Sequence, residues 1–296
     1  MRLSYPQLHR LGRHGWGSAL IGALLAAVLV VVPVVAAAVA GLLDAAFGSS
    51  FASLDRLSHR RGITPADFLV LNMNNAGYIL GAVALTWYLH QVRPGWLLSV
   101  RRSIRWRWLA MCIGLAVVAT VLALIVQAAI PSATGPLVSE HYSTGRTTAF
   151  FAVMALTTPL QAIGEEFLFR GYLTQAVGSV FKARWVAVLV PALLFAAAHG
   201  SQGLPVFIDR LAFGLLAGML VLVTGGLEAG IALHVLNNFA SFGPAIAGGL
   251  VSAALAATGN WWVLPVTVAE MGSFLLLVVW ARRQRGADFA SAAVAG

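Results

Sequence analysis

The segment Gly164-Glu165-Glu166-Phe167-Leu168-Phe169-Arg170-Gly171 places two adjacent carboxylates and an arginine in an almost uncharged apolar region. The surrounding residues 147–173 predict one membrane-spanning helix, where an ionised carboxylate is costly and marks a functional site. On an α-helix Glu166 and Arg170 lie four residues apart on one face, so Arg170 can neutralise Glu166. Glu165 is rotated by about 100° from Glu166. It is therefore predicted to face another partner.

The composition of the whole chain is that of an integral membrane protein. Of its 296 residues 59% are hydrophobic and 10% are charged, and the mean hydropathy is +0.85, values outside the range of soluble globular proteins. The single Cys112 lies in an apolar run, which excludes a disulfide framework and a thiolate metal cluster. The net charge of +9 comes from arginine patches between apolar runs, the pattern that encodes membrane topology. We therefore expect a lipid bilayer as partner and no nucleic acid.

Successive apolar runs predict an all-α, polytopic membrane helix bundle. Most of them are long enough to cross about 30 Å of hydrocarbon. The fifth is the shortest, and residues 245–258 could form a re-entrant piece or a ninth element. The first run is too long for a signal peptide and lacks a convincing cleavage site, so we expect it to be retained. The eight predicted spans are residues 16–43, 67–90, 106–130, 147–173, 185–199, 205–223, 227–246 and 261–281.

Basic residues predict the orientation of these spans. The segments before residue 16, between 93 and 107, around 182–184 and after 281 are rich in basic residues and all fall on one side. The positive-inside rule assigns that side to the cytoplasm, so both termini are predicted to be cytoplasmic. The Arg-biased, Ala/Val-rich composition is compatible with a bacterial cytoplasmic membrane. Tryptophans at span ends are expected at the membrane interface: Trp106, Trp108, Trp185, Trp261 and Trp262.

Three further polar residues lie in the apolar second half of the chain. His199 ends the fifth span, and His234 and Asn238 lie four residues apart on one face of the seventh. Each alone would be compatible with packing. Together with Glu165 they are predicted to converge on one cavity that opens towards the cytoplasm. This set is sufficient for hydrolysis: the carboxylate can take a proton from water, and an imidazole and an amide can donate to an oxyanion.

The motifs in which these residues occur resemble a known family. In order, they are E-E-x-x-x-R, F-x-x-x-H and H-x-x-x-N, on three separate apolar runs. This ordered set resembles the CPBP family of CAAX proteases and bacteriocin-processing enzymes, the "Abi" intramembrane proteases. The resemblance covers residues 147–245, about a third of the chain. The residues that carry it are Glu165, Glu166, Arg170, Phe195, His199, His234 and Asn238.

The resemblance implies a glutamate-dependent endopeptidase that cuts a membrane-associated peptide or protein. Glu165 and His199 are expected to activate water, and His234 and Asn238 to stabilise the oxyanion, with the Glu166–Arg170 pair in support. No cofactor is expected. A divalent metal such as zinc stays open, because Glu165, His199 and His234 could ligate it, although the helical H-E-x-x-H spacing is absent. The division that follows is an N-terminal part at 1–146 with three spans, a catalytic core at 147–245, and a last helix with a basic tail at 246–296.

Two other functions are compatible with the same residues. Polar groups inside a membrane can relay protons or bind an ion in a transporter, although no inverted repeat is apparent in this sequence. The fold could also serve as a regulatory or immunity scaffold without turnover. Of the remaining acids, Glu228 suits the start of a helix, and Glu270 is predicted to pack with a hydroxyl or amide partner.

One distance does not fit this topology well. With a rise of about 1.5 Å per residue, Glu165 and His234 lie roughly 10 Å from the cytoplasmic ends of their predicted helices, whereas His199 lies roughly 20 Å from Trp185. The fifth span must then start later or tilt if the three side chains are to meet.

Overall fold

The computed structural model describes residues 2–47, 56–57, 61–131, 139–200, 202–256, 259–285 and 291–293. Within them the chain is a bundle of long helices, which confirms the predicted all-α polytopic class. Each of the eight predicted spans coincides with a helix. The helices are α1 (Trp16–Phe47), α2 (Pro65–Leu89), α3 (Trp106–Ala129), α4 (Thr144–Val180), α5 (Val186–Ala198), α6 (Leu204–Thr224), α7 (Glu228–Ala247) and α8 (Val263–Gln284).

Six of these helices are long and apolar enough to cross a membrane: α1, over Trp16–Pro33, and α2, α3, α4, α6 and α8. The other two differ for separate reasons. Helix α5 has 13 residues and reaches only about 20 Å along its axis. Helix α7 has 20 residues but carries polar side chains of the predicted site. Of the eight predicted spans, six of the described helices are therefore candidate membrane spans, and a count of eight stays a prediction.

Local sequence signals explain where several helices begin and end. Before α2 the Thr64 hydroxyl accepts a hydrogen bond from the backbone N–H of Asp67, and Pro65 occupies the first turn, as expected at a helix start. The Ser143 side chain caps α4 in the same way by accepting from the N–H of Arg146. Helix α6 ends at Gly225, whose φ of 64° is the left-handed conformation that glycine adopts most readily.

Helix α4 is longer than predicted and changes its winding at the site. It is α-helical over Thr144–Glu165, π-helical over Glu166–Leu173 and α-helical again over Thr174–Val180. π-helical turns frequently occur at functional sites. Because the helix continues to Val180, Glu165 lies about 22 Å from that end. This depth is close to that of His199 on α5, so the mismatch between Glu165 and His199 disappears. His234 still lies about 9 Å from the start of α7 at Glu228.

Helix α4 lies at the centre of the bundle. It packs along α2 and α7, and its π-helical segment also contacts α5. All residues of Glu166–Leu173 are buried. Helix α2 approaches closely at Gly164, where an added Cβ would collide with the backbone carbonyl oxygen of Asn75. Glycine at this position therefore brings α2 against the acidic motif.

The two ends of the described chain meet. Strand β1 (Arg2–Ser4) pairs antiparallel with strand β2 (Ser291–Ala293), with Leu3 opposite Ala292. A 3-10 helix follows β1 over Tyr5–Leu11, and its buried Tyr5 hydroxyl donates to the carbonyl oxygen of Leu97. These two short strands are the β-structure of the otherwise helical described residues, and their pairing places both ends on the same side of the bundle.

Some sequence-based placements need correction or completion. Trp106 is 70% exposed and Trp185 65% exposed, as expected for interfacial residues, but Trp108 is only 2% exposed and belongs to the core. After α7 a short helix at Val251–Leu255 occupies part of the segment 245–258, of which residues 257–258 lie outside the described residues. In α8, Glu270 accepts a hydrogen bond from the Thr120 hydroxyl at 2.7 Å, the packing role that was predicted for it.

Candidate active site

Glu165 is held by two amide side chains. Its Oε1 accepts from Asn75 Nδ2 at 2.8 Å and from Gln161 Nε2 at 2.5 Å. Asn75 comes from α2, whereas Gln161 lies one turn earlier on α4. Two donors on one oxygen fix the plane of the carboxylate, so its second oxygen has a defined direction. That oxygen, Oε2, lies 3.5 Å from Nε2 of His234.

Glu166 orients the imidazole of His234 from the other side. His234 Nδ1 lies 2.9 Å from Glu166 Oε1, and Arg170 Nη1 lies 3.1 Å from the same oxygen. Glu166 and Arg170 are almost fully buried, at 0% and 1% exposed. The ion pair expected from their spacing is therefore present. Because Nδ1 donates to Glu166, His234 can donate through Nε2 only when the ring carries both protons.

Gly230 provides the space for the Glu166 side chain. An added Cβ at this position would lie 2.6 Å from Glu166 Oε2 and 3.4 Å from its Cδ. Gly230 is one helical turn before His234 on α7, so the two residues present the same face to α4. The glycine and the histidine together form the wall against which Glu166 packs.

Aromatic rings complete the surroundings of Arg170. The guanidinium lies 4.1 Å above the ring of Phe195 and 5.5 Å from that of Phe213. The two phenylalanine rings are stacked, with centroids 5.7 Å apart. A guanidinium over an aromatic face gains a cation–π interaction that is strongest when water is excluded. Phe195 of the F-x-x-x-H motif therefore helps to hold the arginine of the first motif.

His199 contacts the same Phe195 ring that lies against Arg170. Its Nδ1 lies 2.8 Å from the carbonyl oxygen of Phe195, and the two rings are 4.7 Å apart. The Phe195 ring in turn lies 6.1 Å from that of His234. With Nδ1 as the donor to a carbonyl, Nε2 is the basic nitrogen of the neutral ring. The structure thus places His199 beside the Phe195 ring, which also lies near His234.

Asn238 takes part in the amide network. Its Nδ2 donates to Gln161 Oε1 at 2.8 Å, and Gln161 in turn donates to Glu165. An amide nitrogen carries two hydrogens, so Asn238 retains a second donor. A continuous chain of hydrogen bonds therefore connects the third motif to the first.

Sequence reasoning missed Asn75, Gln161 and Gly230. Gln161 had a readable signal, because it lies four residues before Glu165 on the same helix. For Asn75 the signal was weaker: an amide inside an apolar span needs a partner, but the sequence does not identify it. The role of Gly230 depends on the side chain of another helix and had no signal in the sequence.

A metal does not fit the side chains as they are arranged. In the described part of the chain, no three His, Cys, Asp or Glu side chains are grouped so that they could hold a metal ion. This applies to Glu165, His199 and His234, the set that could have ligated zinc. We therefore derive no chemical step through a metal.

The fold and this site define a polytopic membrane protein with a buried cluster of carboxylate, imidazole and amide groups. Residues 147–240 match the family model described as type II CAAX prenyl endopeptidase Rce1-like, a protease family. This match confirms the resemblance inferred from the three motifs, and it covers about a third of the chain. The predicted division into three parts is not tested by it and stays a prediction.

One curated relative extends the comparison. The chain is 26% identical over 153 residues to the uncharacterized protein YyaK of Bacillus subtilis (strain 168). The matched region covers 48% of this chain and 51% of YyaK, so the chain spans about half the length of the relative it matches. No solved structure matches.

Proposed function

We propose that the protein is an intramembrane endopeptidase that hydrolyses a peptide bond of a membrane-associated peptide or protein. The observation that carries the proposal is the 3.5 Å approach of Glu165 Oε2 to His234 Nε2, with both side chains buried. A carboxylate and an imidazole that face each other in a family of proteases suit general acid–base catalysis on a water molecule. The family match supports the reaction class.

The reaction we propose is a direct attack by water. Glu165 removes a proton while the water oxygen bonds to the peptide carbonyl carbon, with Nε2 of His199 as a second acceptor that orients the water. His234 Nε2–H and Asn238 Nδ2–H donate to the resulting oxyanion. The carbon–nitrogen bond then breaks, and the proton held by Glu165 passes to the departing amine. The products are a free carboxylate and an amine.

The remaining polar residues position this machinery. Asn75 and Gln161 fix the Glu165 carboxylate. Glu166, itself paired with Arg170, fixes the His234 ring. Groups that are already oriented do not have to reorganise during the reaction, which is a main source of catalysis by buried polar sites.

We further propose that the arginine-rich side faces the cytoplasm and that the membrane is the bacterial cytoplasmic membrane. The basic segments at the start of α3 and the end of α8 line one cavity, and Tyr5, which follows β1, contacts Leu97 shortly before α3. Both termini would then be cytoplasmic. The substrate would reach the buried cluster from that side.

The test is cleavage by the full-length protein in proteoliposomes. A substrate is first identified as a membrane peptide that stays unprocessed in cells expressing Glu165→Gln instead of the wild type. Purified wild type should cleave it, and Glu165→Gln should cleave at least about 100-fold more slowly, since general base catalysis contributes this much. Glu270→Gln is the matched control, because Glu270 is a buried carboxylate whose partner is Thr120 rather than the site.

The outcomes separate the candidate functions. Full cleavage by Glu165→Gln and His234→Ala would overturn the assignment. Proton-coupled uptake by wild-type liposomes without cleavage would favour a transporter instead.

A further inference from the structure

A second polar feature lies away from the site, where α3 begins and α8 ends. A cavity of about 370 Å³ opens there, and four arginines and two tryptophans contribute to its lining: Arg101, Arg105, Arg107, Arg285, Trp106 and Trp108. No carboxylate is among the described residues that line it. The cavity is therefore strongly electropositive.

One of the four arginines is neutralised by its own partner. Arg105 Nε and Nη2 lie 2.8 and 2.6 Å from the two oxygens of Glu228, and its Nη1 donates to the carbonyl oxygen of Thr224. This bidentate pair connects the cavity wall to the start of α7. The positive charge offered to a ligand therefore comes from Arg101, Arg107 and Arg285.

Among the described residues, Arg285 contacts an aromatic ring and a thioether. Its guanidinium lies 5.8 Å from the ring of Trp108, and Nη2 lies 3.5 Å from the sulfur of Met111. The first turn of α3, which has no side-chain cap, also lines the cavity. The N-terminal end of a helix adds a partial positive charge and favours anions such as phosphate.

The position of the cavity indicates where its ligand comes from. Helices α3 and α8 are both candidate membrane spans, and the cavity lies at the end of both. Trp106, which lines the cavity, is 70% exposed, as is typical of side chains at the level of lipid headgroups. Basic pockets between helices at this level bind anionic headgroups.

We propose that this cavity binds the phosphate of an anionic phospholipid, with Arg101, Arg107 and Arg285 as the phosphate-binding residues. The shared chemistry is a phosphate oxyanion in contact with guanidinium groups. A soluble phosphate could offer the same group, but the exposed Trp106 beside the cavity favours a molecule that also has acyl chains. This site is separate from the proposed active site, and its test needs no proteolytic activity.

The experiment measures lipid retention by the full-length protein in detergent. Native mass spectrometry is performed after incubation with equal amounts of phosphatidylglycerol and phosphatidylcholine. Wild type should retain phosphatidylglycerol preferentially, and the triple variant Arg101→Gln/Arg107→Gln/Arg285→Gln should bind it at least about tenfold more weakly, because each interfacial arginine contributes about fivefold. The double variant Arg101→Gln/Arg107→Gln keeps the Trp108 contact and should lose an intermediate amount.

The control removes the same charge elsewhere. Arg13, Arg93 and Arg184 are exposed, lie outside the cavity lining and are predicted to be on the same side of the membrane as the cavity. Their triple Gln variant should retain lipid as the wild type does. Equal loss in both triple variants would show that only net charge matters and would overturn the site. If inorganic phosphate alone displaces phosphatidylglycerol at equal concentration, the lipid source is wrong and a soluble phosphate is the ligand.

Discussion

His234 Nδ1 lies 2.9 Å from Glu166 Oε1. Glu166 therefore orients the imidazole ring whose other nitrogen faces Glu165. The adjacent glutamates therefore have different functions in the proposed enzyme. Glu165 faces the reacting groups, whereas Glu166 joins His234 to Arg170 in one buried cluster. The following predictions test this division.

Glu166→Gln should destabilise the protein and reduce cleavage. The change leaves Arg170 buried without a counter-ion, and breaking a buried ion pair from one side costs about 3–5 kcal/mol. The measurement is the midpoint of thermal unfolding in detergent, together with the cleavage rate. Glu140→Gln is the control, since Glu140 pairs with Arg146 at 3.0 Å but is 29% exposed and should cost under about 1 kcal/mol. Equal shifts in the two variants would contradict the buried cluster.

Asn75→Ala should reduce kcat with a smaller effect on stability. Glu165 loses one of its two amide donors, and its carboxylate becomes free to rotate away from the water. We expect a loss of about tenfold in kcat, with KM little changed because Asn75 does not contact the substrate in the proposed reaction. Asn75→Asp is the companion variant: it keeps the size but replaces the donor by an acid, and it should be slower still. An unchanged kcat in both would remove Asn75 from the positioning network.

Gly230→Ala should impair both folding and activity. The new methyl group would lie 2.6 Å from Glu166 Oε2, and overpacking of this kind costs about 1–3 kcal/mol. Gly243 is the matched control on the same helix, because an added Cβ there would have nothing within 4 Å. Gly243→Ala should leave activity unchanged and raise the free energy of unfolding by up to about 1 kcal/mol through helix propensity. The measurements are the unfolding midpoints and cleavage rates of Gly230→Ala and Gly243→Ala. Equal values for the two variants would contradict the close contact of Gly230 with Glu166.

Removal of divalent metal should leave cleavage unchanged. The proposed reaction uses only Glu165, His199, His234 and Asn238, and the described residues do not form a metal-binding group of three. The measurement is the cleavage rate after dialysis against a strong chelator, with and without added zinc. A loss of activity that zinc restores would show that the water is activated by a metal and that the proposed roles are wrong.

The sequence predicted the helices and the Glu166–Arg170 pair because both depend on spacing along one chain segment. It placed the end of α4 too early for a physical reason. Residues after Leu173 include Gln175 and Ser179, which lower the hydropathy, yet both are buried in the protein at 0% and 5% exposed. Hydropathy measures compatibility with lipid, so it does not detect a helix that continues inside the protein.

The contacts between helices could not be predicted in the same way. Asn75 and Glu165 are separated by 90 positions, and nothing in either segment specifies that they meet. Trp108 was expected at the membrane surface because it lies near a helix end, but its neighbours bury it. In each case the packing of one helix on another decided the environment, and a single sequence carries little information about such packing.

The burial of the acidic pair has a consequence for the substrate of the proposed enzyme. Since Glu165 and Glu166 are buried among the helices, a scissile bond would have to enter the protein before it meets the water. A folded domain cannot follow, and a helical segment hides its carbonyl groups in its own hydrogen bonds. We therefore expect the proposed enzyme to process only loosely structured tails. The burial of the site would exclude structured polypeptides whatever their sequence.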